Sequence, residues 1–395
     1  MSSEQFIEIQ KCIKEFPKSK ILKSYGNNYG RYKLYLSGTK HSRTDHLMID
    51  QESIIMGDGG EATVFFATGK YSFSSHNFAF VSKDERVKNR YLFRIIEFIL
   101  PEINYAGFVG SGLKNIDKFY LEKIKIKLIS TKEQNKIESI LASIDNVIEK
   151  TQLQISKLQD LKKGMINKFL TKGIDHKEFK DSELGMIPRS WKLIPLSQIA
   201  NKKDPFSFAG GPFGSNLKTE HYCDSGVRII QLQNIGDGEF LDDYEIFTSK
   251  EKANELLSCN IFPDDIIISK MGDPVARACI IPNLETRYLM ASDGIRLSVN
   301  KNEFDVNFIL ETINHHRFRS EAERISIGST RKRISLTELR TLIIAHPSLK
   351  EQKEISSFIH SMNLSIKKKK QKLFKVQCLK KSLMQDLLTE KVRVP

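Results

Sequence analysis

Basic and amide side chains cluster in glycine-containing stretches of this sequence, and their chemistry is that of nucleic-acid binding. Arginine can bind guanine through two hydrogen bonds, asparagine and glutamine can bind adenine in the same way, and lysine is attracted to phosphate. Ordinary polar turns are the alternative for any single residue. The residues that we predict to contact a nucleic acid are Asn27, Asn28, Arg31, Lys33, Lys40, Arg43, Lys114, Phe213, Ser215, Lys218, Arg228, Gln231, Gln233, Lys270, Arg331, Lys332 and Arg333.

Motifs for catalysis are largely missing. The stretch Phe108–Gly112 matches the F-x-G-x-G pattern with which many methyltransferases bind S-adenosylmethionine, but it follows a helical stretch rather than a strand. There is no phosphate-binding loop of the G-x-x-x-x-G-K-[S/T] type, and His315 and His316 have no partners at metal-ligand spacing. We therefore predict no catalytic residue, no metal site and no bound cofactor in this chain.

The charge balance also favours a polyanionic partner. The 395 residues contain 62 Lys+Arg against 48 Asp+Glu, a formal net charge of +14 at pH 7, and such an excess is typical of nucleic-acid-binding proteins. No apolar run approaches the roughly 18 residues of a membrane span, and the first residues do not resemble a signal peptide. The five cysteines are widely separated, so we expect no disulfide framework, no membrane association and a location in the reducing cytoplasm.

The sequence contains an internal repeat. The stretch Gly110–Ile116 resembles Gly328–Ile334, and the same offset, without a gap, aligns the Glu-Gln pair 133–134 with the Glu-Gln pair 351–352. The register then holds to the end of both copies. One unbroken register over so long a stretch indicates a tandem duplication. The segments before it are related more weakly, so we expect two diverged heads that act on different targets.

After the Glu-Gln pair, each copy shows apolar residues spaced alternately four and three positions apart. This heptad predicts a helix that packs along another helix, with a length of about 38 residues or roughly 57 Å. Both copies have polar residues at the same two positions, Thr151 and Lys369 at one, Lys162 and Lys380 at the other. Two unrelated amphipathic helices would not share these interruptions. The residues that we predict to form helix interfaces are Ile137, Leu141, Ile144, Ile148, Ile155, Leu158, Ile355, Ile359, Ile366, Leu373, Val376 and Leu383.

These patterns divide the chain into two heads and two helices. We predict a first head over 1–130, a first helix over 131–172, a linker over 173–190, a second head over 191–348 and a second helix over 349–391. The fold class is α+β: two globular mixed α/β domains separated by two long helices. The helices are expected to pair antiparallel as a coiled coil around a pseudo-twofold axis.

Each head is expected to mix short strands with a helical stretch. Apolar runs such as Ile54–Met56 and Ile266–Ile268 predict buried strands, and residues 118–129 alternate as a short strand would. Helical stretches are predicted at Arg90–Leu100 and Val306–Ile325.

These features resemble the specificity subunits of type I DNA restriction–modification systems, and the likeness covers nearly the whole chain. The residues that carry it are the Lys-Glu-Gln triplets 132–134 and 350–352, Leu379-Lys380-Lys381, Leu387-Leu388-Thr389, Gly211–Ser215, Ile187-Pro188 before Trp191, and Asp265–Ile268 with Gly272. In combination these motifs are specific, whereas the helix ending alone would be weak.

The resemblance implies a division of roles. Each head would be a target-recognition domain that reads one half of a bipartite, gapped sequence in double-stranded DNA. The helices would be spacers on which two modification (methyltransferase) subunits dock, and restriction subunits would join through the complex. Methyl transfer, ATP hydrolysis and cleavage would belong to those partners, so the chain itself would not be an enzyme.

In one respect the sequence departs from the family pattern. The second head begins with Ile187-Pro188 and Trp191, followed by Gly211–Ser215, and we expect no counterpart of either segment in the first head. A competing hypothesis is a coiled-coil adaptor whose heads bind proteins, without sequence-selective binding of DNA. A third is a self-sufficient methyltransferase, which rests only on Phe108–Gly112 and requires the isolated chain to bind S-adenosylmethionine.

Overall fold

The computed structural model describes residues 6–328 and 331–394. Within these residues no helix is both long enough and apolar enough to cross a membrane. The chain forms two compact units that do not follow its order. One contains the residues up to Gln154 together with those from Lys369 onward, and the other contains Ile155–Lys368. Each unit therefore combines one head with a part of each long helix.

The first half of the chain consists of short strands and helices that lead into a long helix. Its strands are β1 (Phe6–Glu8), β2 (Ile13–Glu15), β3 (Tyr32–Tyr35), β4 (Ser42–Thr44), β5 (Ile49–Asp50), β6 (Ser53–Gly57), β7 (Val64–Ala67), β8 (Lys70–Phe73), β9 (Asn77–Ser82), β10 (Phe108–Val109), β11 (Asn115–Ile116) and β12 (Lys125–Lys127). Its helices are α1 (Ile9–Cys12), α2 (Asn89–Ala106), α3 (Lys118–Lys123) and α4 (Thr131–Lys172).

The second half follows the same plan. Its strands are β13 (Phe179–Lys180), β14 (Ile187–Pro188), β15 (Lys192–Pro195), β16 (Phe208–Gly210), β17 (Tyr222–Cys223), β18 (Val227–Ile230), β19 (Phe247–Thr248), β20 (Asn260–Ile261), β21 (Ile266–Ser269), β22 (Ala278–Ile280), β23 (Tyr288–Met290), β24 (Gly294–Leu297) and β25 (Ile343–His346). Its helices are α5 (Lys250–Glu255), α6 (Val306–Asn314), α7 (His316–Ile325), α8 (Leu336–Thr341) and α9 (Leu349–Leu388).

Two four-stranded sheets form the first head. One has the order β2-β9-β6-β7 and the other β4-β3-β8-β5, in which β3 and β8 run parallel. Every residue of β6 is buried, because its side chains alternate between two cores: Ile54 and Met56 pack with α2, and Ile55 packs on the other face with Phe73. Successive strand side chains point to opposite faces, so this continuous apolar run belongs to a sheet covered on both sides.

The second head repeats this arrangement. Its sheets have the orders β16-β24-β21-β22 and β17-β19-β18-β23-β20, and β18 runs parallel to β23 as β3 does to β8. In β21, Ile266 and Ile268 belong to one core and Ile267 to another. Apart from the additional edge strand β17 in the second head, the two heads thus share one strand order, although few of their residues match.

The structure corrects the strand predicted over 118–129. The first part of this stretch is α3, and only its centre is the strand β12. The Asp117 carboxylate accepts a hydrogen bond from the amide of Phe119 at 3.0 Å and so caps the first turn of α3. This local cap favours a helix where the apolar alternation alone indicated a strand. The helical stretches predicted in the heads are confirmed as α2 and as α6 followed by α7, with a break at His315.

A buried glutamine fastens the start of each long helix to its head. Gln134 in α4 accepts a hydrogen bond from the amide of Lys88, the residue before α2, at 2.9 Å. Gln352 in α9 accepts one from the amide of Asp305, the residue before α6, also at 2.9 Å. Both side chains are fully buried and also donate to backbone carbonyls. The glutamine of the repeated Glu-Gln pair therefore has a structural role: it joins each long helix to the helix of its head.

The long helices, 42 residues in α4 and 40 in α9, contact each other inside each unit. In the unit of the first head, Lys369 Nζ donates to Gln154 Oε1 at 2.7 Å. In the other unit the rings of Phe169 and Phe358 meet edge to face, with centroids 5.1 Å apart. Both contacts join a residue of α4 to a residue of α9 that is distant in the sequence.

Two of the polar interruptions of the heptad, Lys162 and Lys380, have acidic neighbours on the helices of the heads. Lys380 Nζ lies 2.6 Å from a carboxylate oxygen of Glu97 in α2 and 2.8 Å from Asp145 in α4. In the second unit the Lys162 charge acts on Glu311 of α6, whose pKa is raised by burial and lowered by this lysine, burial being the larger effect. Each of these lysines thus interrupts the heptad at a point where a helix of the head carries a glutamate.

Candidate nucleic-acid interface

In the second head, several loops meet at the segment 291–294, which follows β23. The amide of Gly211 donates to a carbonyl of this segment at 2.9 Å, and the amide of Lys270 donates to another at 2.7 Å. The carbonyl of Ile230 accepts from the first amide of the segment at 2.9 Å. Gly211 permits this approach, because a Cβ atom there would lie 1.9 Å from the carbonyl oxygen of Ala291. The loops that follow β16, β18 and β21 therefore form one surface.

A basic loop before α8 joins the same surface. The amide of Gly272 donates to the carbonyl of Lys332 at 3.2 Å. The guanidinium of Arg333 pairs with the carboxylate of Asp293. Lys270 is brought in this way to Lys332 and Arg333, which lie far from it in the sequence.

The other predicted residues of the second head lie on these loops, with one exception. Gln231 directly follows β18, is half-buried, and donates from Nε2 to the hydroxyl of Tyr222 at 3.2 Å. Phe213 is 83% exposed on the loop that begins at Gly211. The exposed members of the predicted set in this head are Phe213, Ser215, Lys218, Gln233, Arg331 and Arg333.

Arg228 is the exception, and the structure corrects its prediction as a base-contacting residue. Its side chain is 4% exposed within β18, and its guanidinium lies 2.6 Å from Asp242 and 3.2 Å from Glu245. It also donates to the carbonyl of Tyr244 at 3.1 Å and lies over the ring of Phe240. A guanidinium that is covered and paired in this way offers no exposed donors to a base, so Arg228 holds the neighbouring loop on β18 instead.

The first head builds a matching surface from its own loops. The amide of Asp58, directly after β6, donates to the carbonyl of His76 at 3.1 Å. The amide of Gly60 donates to the carbonyl of Lys114 at 2.8 Å. The second head has the same two bonds. They are donated by Lys270, directly after β21, and by Gly272, two positions later. The backbone frame is therefore common to both heads.

The predicted residues of the first head lie at two different ends of β3. Lys114 belongs to the matching surface, and Lys40 lies in the turn that follows β3 at the same end. Asn27, Asn28 and Arg31 precede β3 and lie at its other end. The structure therefore does not bring these three residues together with Lys114.

Two of the predicted side chains in the first head are engaged by their own loop. Asn27 Oδ1 accepts hydrogen bonds from the amides of Tyr29 at 2.7 Å and Gly30 at 2.6 Å. Arg43 donates to the carbonyls of Gly30 at 2.5 Å and Arg31 at 2.8 Å. These contacts give both residues a role in holding the loop before β3.

Lys33 lies inside β3 with its Nζ 4.3 Å from the centre of the Tyr35 ring. Burial lowers the pKa of Lys33. Burial, with a smaller contribution from the Lys33 charge, also lowers the pKa of His41 to about 4. His41 is therefore neutral near pH 7 and adds no charge to this part of the head.

A basic loop that the sequence analysis did not include follows β2. Residues 16–22 lead from β2 to a 3-10 turn at Lys23–Tyr25, as the loop after β16 leads to a 3-10 turn at Thr219–His221. This loop is the counterpart of Gly211–Ser215, so the expectation that the first head lacks one is wrong. The exposed lysines of this loop and turn are Lys18, Lys20 and Lys23.

This basic loop lies on the same surface as Asp58 and Lys114. The carbonyl of Ile21 accepts a hydrogen bond from the amide of Ser75 at 2.7 Å, next to His76. No signal for this loop was present in the sequence, because it has the same place in the fold as the loop of the second head but lacks that loop's glycines. Any counterpart of Ile187–Trp191 would precede β1 and lies outside the described residues.

The arrangement does not provide a methyltransferase cofactor motif at Phe108–Gly112. This stretch forms β10 and the turn to β11, so it lies between a helix and a strand and lacks the helix that such a motif needs after it. Within residues 6–328 and 331–394, no group of three or more His, Cys, Asp or Glu side chains could hold a metal ion.

Every predicted helix-interface residue is buried or half-buried within its own unit. The faces of the helices away from this seam carry exposed apolar side chains. Leu161 in α4 is 53% exposed and Leu379 in α9 is 52% exposed, and the internal repeat aligns these two residues.

A family model described as the Type I restriction modification DNA specificity domain matches residues 2–159 and 188–376. The two matches include one head each, together with parts of the long helices. The chain belongs to this family. The repeat of the specificity domain along the chain agrees with the shared strand order of the two heads.

Named relatives and solved structures of specificity subunits resemble this chain over most of its length. The type I restriction enzyme MjaVIII specificity subunit of Methanocaldococcus jannaschii is 26% identical over 360 residues, covering 90% of this chain and 82% of the relative. The crystal structure of the type I restriction–modification S subunit from M. genitalium has a TM-score of 0.62 at 16% identity, covering 97% of this chain and 95% of that chain. A chain from a study of complex assembly and conformational transition of the type I system has a TM-score of 0.57 at 11% identity, covering 97% of each. At these identities the structures show a shared fold.

Proposed function

We propose that this chain is the DNA-sequence-specificity subunit of a type I restriction–modification complex. Each head would read one half of a bipartite, gapped sequence in double-stranded DNA. The observation that carries the proposal is the pair of matched loop surfaces, which share backbone hydrogen bonds but display different side chains. Two readers of different half-sites need such a common frame with different side chains at the base edges.

In this proposal the long helices are a rigid spacer. They would pair antiparallel as a coiled coil around a pseudo-twofold axis, with spacers at 131–172 and 349–391, heads at 1–130 and 191–348, and a linker at 173–190. The contacts between the helices in each unit support this pairing. A stiff connection places the second head near its half-site once the first head is bound, and so raises the affinity for the complete site.

The partners in this proposal supply the chemistry. Two methyltransferase subunits would dock on the helices, with Leu161 and Leu379 as equivalent contacts, and restriction subunits would join through the complex. The chain would then be a non-catalytic scaffold in the cytoplasm, where its DNA target lies. The matched exposure of the two leucines supports two copies of the same partner.

Methylation mapping tests the proposal directly. We expect that co-expression of this chain with its methyltransferase subunit places adenine methylation at a single bipartite, gapped motif, which disappears when this chain is omitted. Sequencing that detects methylated adenine would supply both half-sites. Methylation that does not depend on this chain, together with no sequence-selective binding of duplex DNA, would favour the adaptor hypothesis.

The basic loop after β2 gives a prediction on salt dependence. We expect the combined change of Lys18, Lys20 and Lys23 to glutamine to weaken DNA binding by the assembled complex without changing the motif. The slope of log K against log salt should fall by about 0.9 for each phosphate contact removed. Binding would be measured by titration of the motif duplex at several salt concentrations.

A matched control is provided by three lysines that are exposed on α9, Lys367, Lys368 and Lys370. Their combined change to glutamine removes the same charge away from the head loops, and the slope should stay close to that of the unchanged protein. If both triple variants reduce the slope equally, the loop has no specific contact with the DNA backbone.

A further inference from the structure

Asn115 and Arg333 occupy the same position in the two heads. The internal repeat aligns them. Asn115 forms a backbone bridge to Gly59, in the loop after β6, and Arg333 forms one to Met271, in the loop after β21. In each head the following isoleucine donates its amide to the first residue of that loop, at 3.0 Å in one head and 2.9 Å in the other. The two residues are therefore held by the same set of contacts.

Each of these residues also follows, by five positions, a glycine with positive φ. Gly110 has φ +142° and Gly328 has φ +113°, a region that residues with a Cβ atom rarely adopt. A Cβ atom at Gly110 would lie 2.8 Å from the carbonyl oxygen of Leu113, and one at Gly328 would lie 2.7 Å from that of Arg331. In both heads the position five residues before therefore requires glycine.

The side chains on this common frame differ at Asn115 and Arg333 but agree at the position before them. The residue before is a lysine in both heads, Lys114 and Lys332, and Lys332 forms a partly exposed ion pair with Glu323 that a phosphate could replace at little cost. Asn115 and Arg333 are both exposed but differ in hydrogen-bonding chemistry. A lysine repeated in both copies suits contacts that do not depend on sequence, whereas a position that differs can separate two half-sites.

We propose that Asn115 and Arg333 are the equivalent base-reading positions of the two heads, with adenine as the ligand of Asn115 and guanine as the ligand of Arg333. The asparagine amide offers one acceptor and one donor, which match N6 and N7 of adenine, and arginine offers two donors, which match O6 and N7 of guanine. The carboxylate of Asp293 orients the Arg333 guanidinium and leaves its other N–H groups for the base. This inference rests on the proposed function.

The test exchanges the two side chains in the full chain, co-expressed with its methyltransferase subunit, and maps the methylated motif. Arg333→Asn is expected to change one position in one half-site, with the preference for guanine there reduced by about 5- to 150-fold. Asn115→Arg is expected to change one position of adenine in the other half-site. In both cases the remaining half-site and the gap stay unchanged.

Further variants separate base reading from other roles. Arg333→Lys keeps the charge but loses the paired N–H donors of the guanidinium, so it should reduce the preference for guanine at the same position of the motif. This variant also provides the test if Arg333→Asn does not fold. Arg189→Asn, at an arginine that is 73% exposed in the linker, should leave the motif unchanged. An unchanged motif in both exchanges, or equal weakening of both half-sites, would overturn the inference. If the unchanged chain specifies no bipartite motif at all, the proposed function itself is wrong.

Discussion

Arg296→Ala is expected to destabilise the unit formed by Ile155–Lys368 by about 3–5 kcal/mol, the cost of leaving a buried charge without its partner. The Arg296 side chain is 5% exposed, and its guanidinium lies 2.6 Å from Asp265 and 2.8 Å from Asp204. Asp265 is itself 6% exposed, so the change would leave its carboxylate buried without the cation that neutralises it. Folded domains are stable by only about 5–15 kcal/mol, so this is a large fraction of the total.

Trp191 makes this prediction measurable, because it is the only tryptophan in the chain and is buried in the same unit. The denaturant midpoint followed by its fluorescence should fall clearly in Arg296→Ala. Arg324→Ala is the control: this arginine is 69% exposed and pairs with the exposed Glu321, so its loss should cost no more than about 1 kcal/mol. Equal midpoints for the two variants would show that the buried pair does not stabilise the unit.

Gln352→Ala is expected to separate the start of α9 from the start of α6. The change leaves the amide of Asp305 and the carbonyl of Pro347 without their partner, each of which is 2.9 Å from the glutamine side chain. A buried polar group that loses its hydrogen bond costs about 1–3 kcal/mol. The loss should again appear as a lower unfolding midpoint in the Trp191 fluorescence.

Gln159→Ala is the matched control, because Gln159 is exposed on α4 in the same unit, and its replacement should leave the midpoint nearly unchanged. Gln134→Ala removes the equivalent bond in the other unit and should speed hydrogen exchange of the amides in α2. If Gln352→Ala behaves like Gln159→Ala, the repeated Glu-Gln pair has no role in joining helix and head.

The long helices could be predicted from the sequence because their signal is local. A heptad repeats within a few residues, so the predicted range 131–172 and the helix found at Thr131–Lys172 depend on the same short-range pattern. The strand predicted where α3 begins was wrong for a related reason. The capping side chain of Asp117 outweighs a short, weak alternation of apolar residues. Local patterns are reliable where they are long and weak where they are short.

The candidate interface depends on contacts that sequence spacing does not carry. Arg228 and Arg333 are both arginines near polar stretches, but one is covered by pairing with Asp242 and the other is displayed on a loop. The pairing of β18 with β23, together with that of β16 and β21 with β24, brings distant loops to one surface. For Asn115 a signal was present, since the repeat already aligned it with Arg333.

The division of the chain into units has a consequence for its synthesis. The unit with the second head is continuous from Ile155 to Lys368, whereas the other needs residues from both sides of it. During translation at about 5–20 residues per second, the second head can fold as it leaves the ribosome. The unit with the first head, although begun earlier, is complete only on the order of tens of seconds later, when Lys380 can reach Asp145. The unit that is begun first is thus the last to be completed, and a messenger RNA cut short before Lys369 would yield only one complete unit.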